Sequence, residues 1–174
     1  MSDDLDDINE WIKNLERFKV ESGQLLLTDP CYELGTWCTI QVPAMNGTWI
    51  TDTFYNREGR VSAISAAWVA EKAKPMPPWE HIDGEVGVDS GQAGIFDLDA
   101  YPDREDTGEP DDESSFYGQC CKITASAKRA GNIYIDNVSR GYVARSGYGD
   151  GGYDAFAIFN EDRIAEAVKI VFIN

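Results

Sequence analysis

Leu5, Ile8, Ile12 and Leu15 recur at three- and four-residue spacings, with Trp11 and Phe18 flanking the same stripe and Ser2 and several acids at its head. Apolar positions so spaced share one face of an α-helix, and serine followed by acids suits the positive end of the helix dipole. The spacing predicts an amphipathic helix over residues 3–17, in an N-terminal unit of 1–18 that packs on its own domain. From Phe18 onward the pattern changes to short β-rich runs separated by Gly, Asn and Asp: FKVESGQLLLTD, TWCTIQV, GTWITDTFYN, GRVSAISAAWV, GEVGVDSGQAGIFD, KITASA, NIYIDN, GYVARS, YDAFAIFN and RIAEAVKIVFI. Eight to ten strands at such spacing predict a mostly β body over 19–174, an antiparallel β-sandwich or open barrel. Residues 64–74 have helical composition as an alternative, while Pro75, Pro77 and Pro78 require a loop.

The stretch YPDREDTGEPDDESS, within an acidic segment at 99–115, combines prolines, a glycine and like charges and is expected to be an exposed loop. No internal repeat or dividing linker appears, so 1–174 is expected to form one domain. Its 43% hydrophobic and 11% aromatic content exceeds what a disordered chain carries, so the acidity sits on a foldable protein. Fifteen Lys and Arg against 31 Asp and Glu give −16. Five acids stand without a base in the first ten residues, and nine acids accompany Arg104 between Asp97 and Glu113, so most of the excess lies in two segments. Such a charge repels phosphate backbones and anionic membranes: direct nucleic-acid binding and membrane association are not expected, and a basic protein partner is favoured.

No run of about 18 apolar residues and no basic-then-apolar leader occurs in the sequence, so a cytoplasmic protein is expected. In that compartment Cys31, Cys38, Cys120 and Cys121 are expected to be thiols. Without CxxC spacing, and with His81 as the lone histidine, no metal or other cofactor is expected. Asp89, Asp150 and Asp154 are possible oxygen donors to Ca²⁺ or Mg²⁺, but they lack EF-hand spacing. Cys31, Ser90 and Cys120 are candidate nucleophiles, each needing a base that a lone histidine in a proline-flanked loop does not supply. Asp29, before Pro30, reads as a turn former.

Three segments carry specific turn chemistry: SGQLLLTDPCYE at 22–33, VGVDSGQAGIFD at 86–97 and SGYGDGGYDAF at 146–156. Their glycines permit unusual backbone angles or close approach, and their Asp and Ser side chains bond nearby amides. Together with the closing VKIVFI strand, they resemble an uncharacterised family of bacterial and phage proteins, a domain of unknown function bearing VDSGQxGxFD and SGxGDGxYD signatures, over residues 20–173. The resemblance implies one β-rich domain of microbial or phage origin and no particular activity.

From the residues themselves, amides between Ser146 and Gly152 suit an anion-binding nest, although no P-loop is present. The expected function is non-enzymatic sequestration of a small polar or nucleotide-like ligand, with Asp89, Ser90, Gln92, Ser146, Tyr148, Gly149, Asp150, Tyr153 and Asp154 as candidate binding residues and none catalytic. Trp37, Trp49, Tyr148 and Tyr153 are either core or a stacking wall. The alternatives are an acidic protein that masks a basic host factor or imitates nucleic acid, and a carboxylate- or metal-dependent hydrolase acting through Asp89 and Asp150.

Overall fold

The computed structural model describes residues 16–70, 77–102 and 108–174. The expected helix over 3–17 lies outside the described residues except for its last two positions, and the 1–18 boundary needs correction. Arg17 and Phe18 already belong to a strand, in which Phe18 and Val20 turn into the core while Arg17 and Lys19 stay exposed. In chain order the described strands are β1 (Arg17–Val20), β2 (Gln24–Thr28), β3 (Ile40–Pro43), β4 (Gly47–Tyr55), β5 (Val61–Trp68), β6 (Glu80–His81), β7 (Val86–Val88) and β8 (Gln92–Asp97). After them come helix α1 (Phe116–Thr124), then β9 (Ala130–Ile135), β10 (Val138–Arg145), β11 (Gly151–Phe159) and β12 (Ala165–Val171).

These form two antiparallel sheets, not closed into a barrel. The seven-stranded sheet runs β1-β4-β5-β12-β11-β6, with β7 pairing the start of β11; the five-stranded sheet runs β3-β2-β8-β10-β9. Alternation decides which side chains meet between the sheets. Leu25 and Leu27 of β2, Ile95 of β8 and Tyr142 of β10 face Phe18, Trp49, Ile64, Val168 and Ile170 in one core. Ile64 and Ala66 are buried at alternate positions and the segment pairs with both β4 and β12, so 61–68 is extended and the helical alternative fails there. Tertiary burial outweighs the helix propensity of alanine.

The other face of the five-stranded sheet is covered as well. Leu26, Phe96, Ile133 and Val143 lie beneath Tyr101, Phe116 and Cys120 in a second apolar cluster. The central strands β2 and β8 are therefore buried on both faces, which explains continuous runs such as LLL where half-buried strands alternate. The expected strand KITASA is a further correction: Lys122, Ile123 and Thr124 end helix α1, whose buried Phe116, Cys120 and Thr124 recur every four residues. Ser115 caps the helix by accepting from the Gly118 amide at 3.0 Å. Within the expected acidic loop, residues 109–114 are exposed but both anchors are not: Tyr101 is buried, and Ser115 is packed at the helix start. Residues 103–107 lie outside the described part.

Two buried aspartates lock β2 and β8 reciprocally. Asp29, just after β2, accepts through one oxygen from the amides of Asp89 and Ser90 at 2.8 and 2.7 Å. Its other oxygen accepts from the Cys31 amide at 2.8 Å and the Ser90 hydroxyl at 2.6 Å. At the opposite end of the pair Asp97, the last residue of β8, accepts from the Glu21 amide at 2.8 Å, from Ser22 and from the Arg140 guanidinium. Each strand thus ends in a carboxylate that holds the segment leading into its neighbour. Both side chains are fully buried, where a carboxylate is tolerated only with its oxygens satisfied.

Candidate functional site

All three glycine-rich segments meet at one end of the sandwich. The Asp29 carboxylate fixes the backbone at Asp89 and Ser90, and the next residue, Gly91, accepts at its carbonyl from the Ser146 amide at 3.0 Å. Gln92 stands opposite Arg145 in the β8–β10 register, while Gly151, Gly152 and Tyr153 pair with β7. Residues far apart in sequence are brought together because β2, β8 and β10 are neighbours and β11 begins where β10 ends.

The turn between β10 and β11 is rigidly held. The Gly149 amide donates to the Ser146 carbonyl at 3.0 Å, with Gly147 at φ +63°, the left-handed position that a type II′ turn reserves for glycine. The Ser146 hydroxyl donates to the Gly149 carbonyl at 2.9 Å, and the Tyr153 hydroxyl donates to the carbonyls of Ser146 and Gly149. Tyr153 is itself wedged edge-on against Phe172, with ring centroids 5.2 Å apart. Among the described residues, the Gly147 and Tyr148 amides donate to no protein acceptor.

This turn separates two hollows of opposite character. On one side Arg60, Arg129 and Arg145 line a hollow of about 530 Å³ with Gly147, Tyr148 and Gly149. The Arg145 Nε donates to the Thr124 carbonyl at 2.9 Å. Arg60 lies over the Tyr148 ring, 4.7 Å from its centroid, and 3.6 Å from the Glu58 carboxylate. Among the described residues neither Arg129 nor Arg145 has a carboxylate partner. Three guanidinium groups around one polar space repel one another, and among the described residues only Glu58 pairs with one of them. On the other side a hollow of about 450 Å³ is lined by Tyr32, Trp37, Glu85, Asp89 and Asp150. The Tyr32 hydroxyl donates to Asp89 at 2.6 Å, and burial, with that carboxylate alongside, raises its pKa.

The expected site residues divide accordingly. Tyr148 and Gly149 line the arginine hollow, whereas Asp89 and Asp150 line the acidic one. Ser90, Gln92, Ser146 and Tyr153 serve the framework: Ser90 bonds Asp29, and the buried Gln92 side chain accepts from the Thr124 hydroxyl at 3.3 Å. Asp154 is in neither hollow and pairs with His81 at 3.0 Å. Of the four aromatics, Trp49 is fully buried, Tyr153 partly so, and Trp37 and Tyr148 are 86% and 66% exposed.

The lone histidine is engaged away from the candidate nucleophiles. His81 engages Asp154, Cys120 is buried, and burial with Asp29 nearby pushes the Cys31 thiol up to about 12. All four cysteines are free thiols. Among the described residues no three His, Cys, Asp or Glu side chains are grouped to hold a metal ion, and no helix is long and apolar enough to cross a membrane.

The arginine trio was the feature missed in the sequence. Arg145 immediately precedes SGYGDGG, a visible signal in a chain poor in bases, but Arg60 and Arg129 join it only through the fold. Comparison with protein families, curated proteins and solved structures finds no match.

Proposed function

We propose that this protein is a non-enzymatic binding protein whose arginine-lined hollow takes up a small anionic ligand. The observation that carries the reading is the convergence of Arg60, Arg129 and Arg145 beside the open amides of Gly147 and Tyr148, in a chain of net charge −16. Guanidinium groups bind phosphates and carboxylates through paired, charge-assisted hydrogen bonds, and unpaired backbone amides on a glycine turn complement them. The surrounding negative charge discourages polyanions, which favours a small ligand over a nucleic acid.

Calorimetric titration at low ionic strength with inorganic phosphate and pyrophosphate tests the proposal. Wild-type protein is expected to bind at least pyrophosphate, and the double variant Arg129→Gln/Arg145→Gln is expected to lose binding while remaining folded by circular dichroism. Absence of binding by either anion, or unchanged affinity in the folded double variant, refutes it.

A second reading draws on the other hollow, where Asp89 and Asp150 share one space and Tyr32 donates to Asp89. Two carboxylates can divide acid and base roles in a hydrolase. Turnover of a nucleotide panel with Mg²⁺, abolished by Asp89→Asn and by Asp150→Asn, would favour that reading over simple binding.

A further inference from the structure

We infer that the anion taken up by the arginine hollow is the phosphate of a small organic ester bearing a planar ring, in chemical class a nucleoside phosphate, with its phosphate on Arg129 and Arg145 and its ring against Tyr148. The inference rests on the anion-site reading above and adds what the remainder of the ligand is.

Size argues first. A hollow of about 530 Å³ falls in the ~300–1,000 Å³ range that holds whole organic ligands, so a lone phosphate leaves most of it unfilled. The charges then differ in availability. Arg60 is occupied by Glu58 and by the Tyr148 ring, whereas Arg129 and Arg145 have no carboxylate partner among the described residues, so the phosphate end belongs with those two.

Tyr148 supplies the other half. A tyrosine 66% exposed contributes little to the core, and this one stands between two glycines of positive φ, at +63° and +116°. The turn that carries it is fixed by Ser146 and Tyr153, so the ring is presented by a rigid support beside the arginines. The space at Gly147 is also closed to bulk: a β-carbon there would lie 2.9 Å from the Ile173 side chain. An exposed ring on a stiff turn loses little conformational freedom when a planar group stacks on it, and a guanidinium above such a ring adds cation–π attraction. Stacking on an aromatic side chain tolerates any base, so these contacts define the class of ligand and leave the base open.

The test compares adenosine 5′-monophosphate with ribose 5-phosphate by calorimetry on wild type, Tyr148→Ala and Tyr148→Phe. Wild type is expected to bind the nucleotide about tenfold or more tightly than the sugar phosphate, from the stacked ring. Tyr148→Ala should bring the nucleotide down to the sugar phosphate's affinity and leave the latter unchanged, while Tyr148→Phe keeps the difference. Equal affinity for the two ligands in wild type overturns the inference and leaves the anion site standing. So does an equal loss for both in Tyr148→Ala, since the ring would then only shape the turn. If pyrophosphate, sugar phosphate and nucleotide all fail to bind wild type, the proposed function falls and this inference with it.

Discussion

Replacing Asp29 by asparagine changes one atom's chemistry and almost none of its volume, at the point where β2 holds the segment before β8. The carboxylate is fully buried and accepts four hydrogen bonds at 2.6–2.8 Å, three from backbone amides and one from the Ser90 hydroxyl. Among the described residues it has no ion-pair partner, so these donors alone offset its desolvation. Asparagine turns one acceptor oxygen into a donor. With the amide nitrogen at Oδ2 the Asp89 and Ser90 amides lose their acceptor; with it at Oδ1 the Cys31 amide does, while the Ser90 hydroxyl can turn to accept.

Hydrogen bonds to a charged group contribute about 1.5–3 kcal/mol each, and relief from burying the charge returns part of that, so a net destabilisation of about 2–4 kcal/mol is expected. With a urea dependence of about 2 kcal/mol per molar, the unfolding midpoint should fall by about 1–2 M. Ser90→Ala should cost about 1 kcal/mol, and its effect should shrink in the Asp29→Asn background because both changes act on the same oxygen or its twin. Asp150→Ala is the control: its exposed side chain has no hydrogen bond among the described residues, so a change within about 0.5 kcal/mol is expected. A midpoint shift for Asp29→Asn no larger than that of the control would refute the latch. Hydrogen exchange gives a second readout, since the amides of Asp89 and Ser90, just before β8, should lose protection before β8 itself does.

Two further substitutions probe other parts of the structure. Gly118→Ala would place a β-carbon 1.9 Å from the Asp112 carbonyl oxygen at the start of α1, so a loss of at least about 1–3 kcal/mol is expected in chemical denaturation, and a neutral result would show that residues 109–114 do not press on the helix. Cys31, with its thiol pushed up to about 12 by partial burial and by Asp29, should be alkylated by iodoacetamide at pH 8 about thirtyfold more slowly in native protein than in urea; equal rates would contradict the raised pKa. Because the folded pKa lies above the unfolded one, the thiol's contribution to stability is complete below about pH 9 and declines as pH rises toward 12. Cys31→Ser should therefore show a flatter fall in stability across that alkaline window.

The fold class was legible in the sequence because strand alternation and turn residues are local. Runs such as FKV and ISAA have period-two burial, and GQLLLTD and GQAGIFD have the turn glycines and terminal acids that mark strand ends. Helix α1 was obscured: its four-residue apolar repeat begins directly after an acid-rich stretch, and KITASA resembles a strand when the spacing of Phe116, Cys120 and Thr124 is not followed across its start. For the candidate site, the glycine segments were visible, but the roles within them were not. Whether Ser90 faces solvent or a buried carboxylate depends on Asp29, 61 residues away, and whether Arg145 has company depends on Arg60 and Arg129 arriving on other elements. Sequence determines which backbone angles and which face of a strand are available at each residue, since those depend on neighbours along the chain. Charge pairing, burial of a carboxylate and the shape of a hollow depend on neighbours in space, and only the packing of the two sheets decides those.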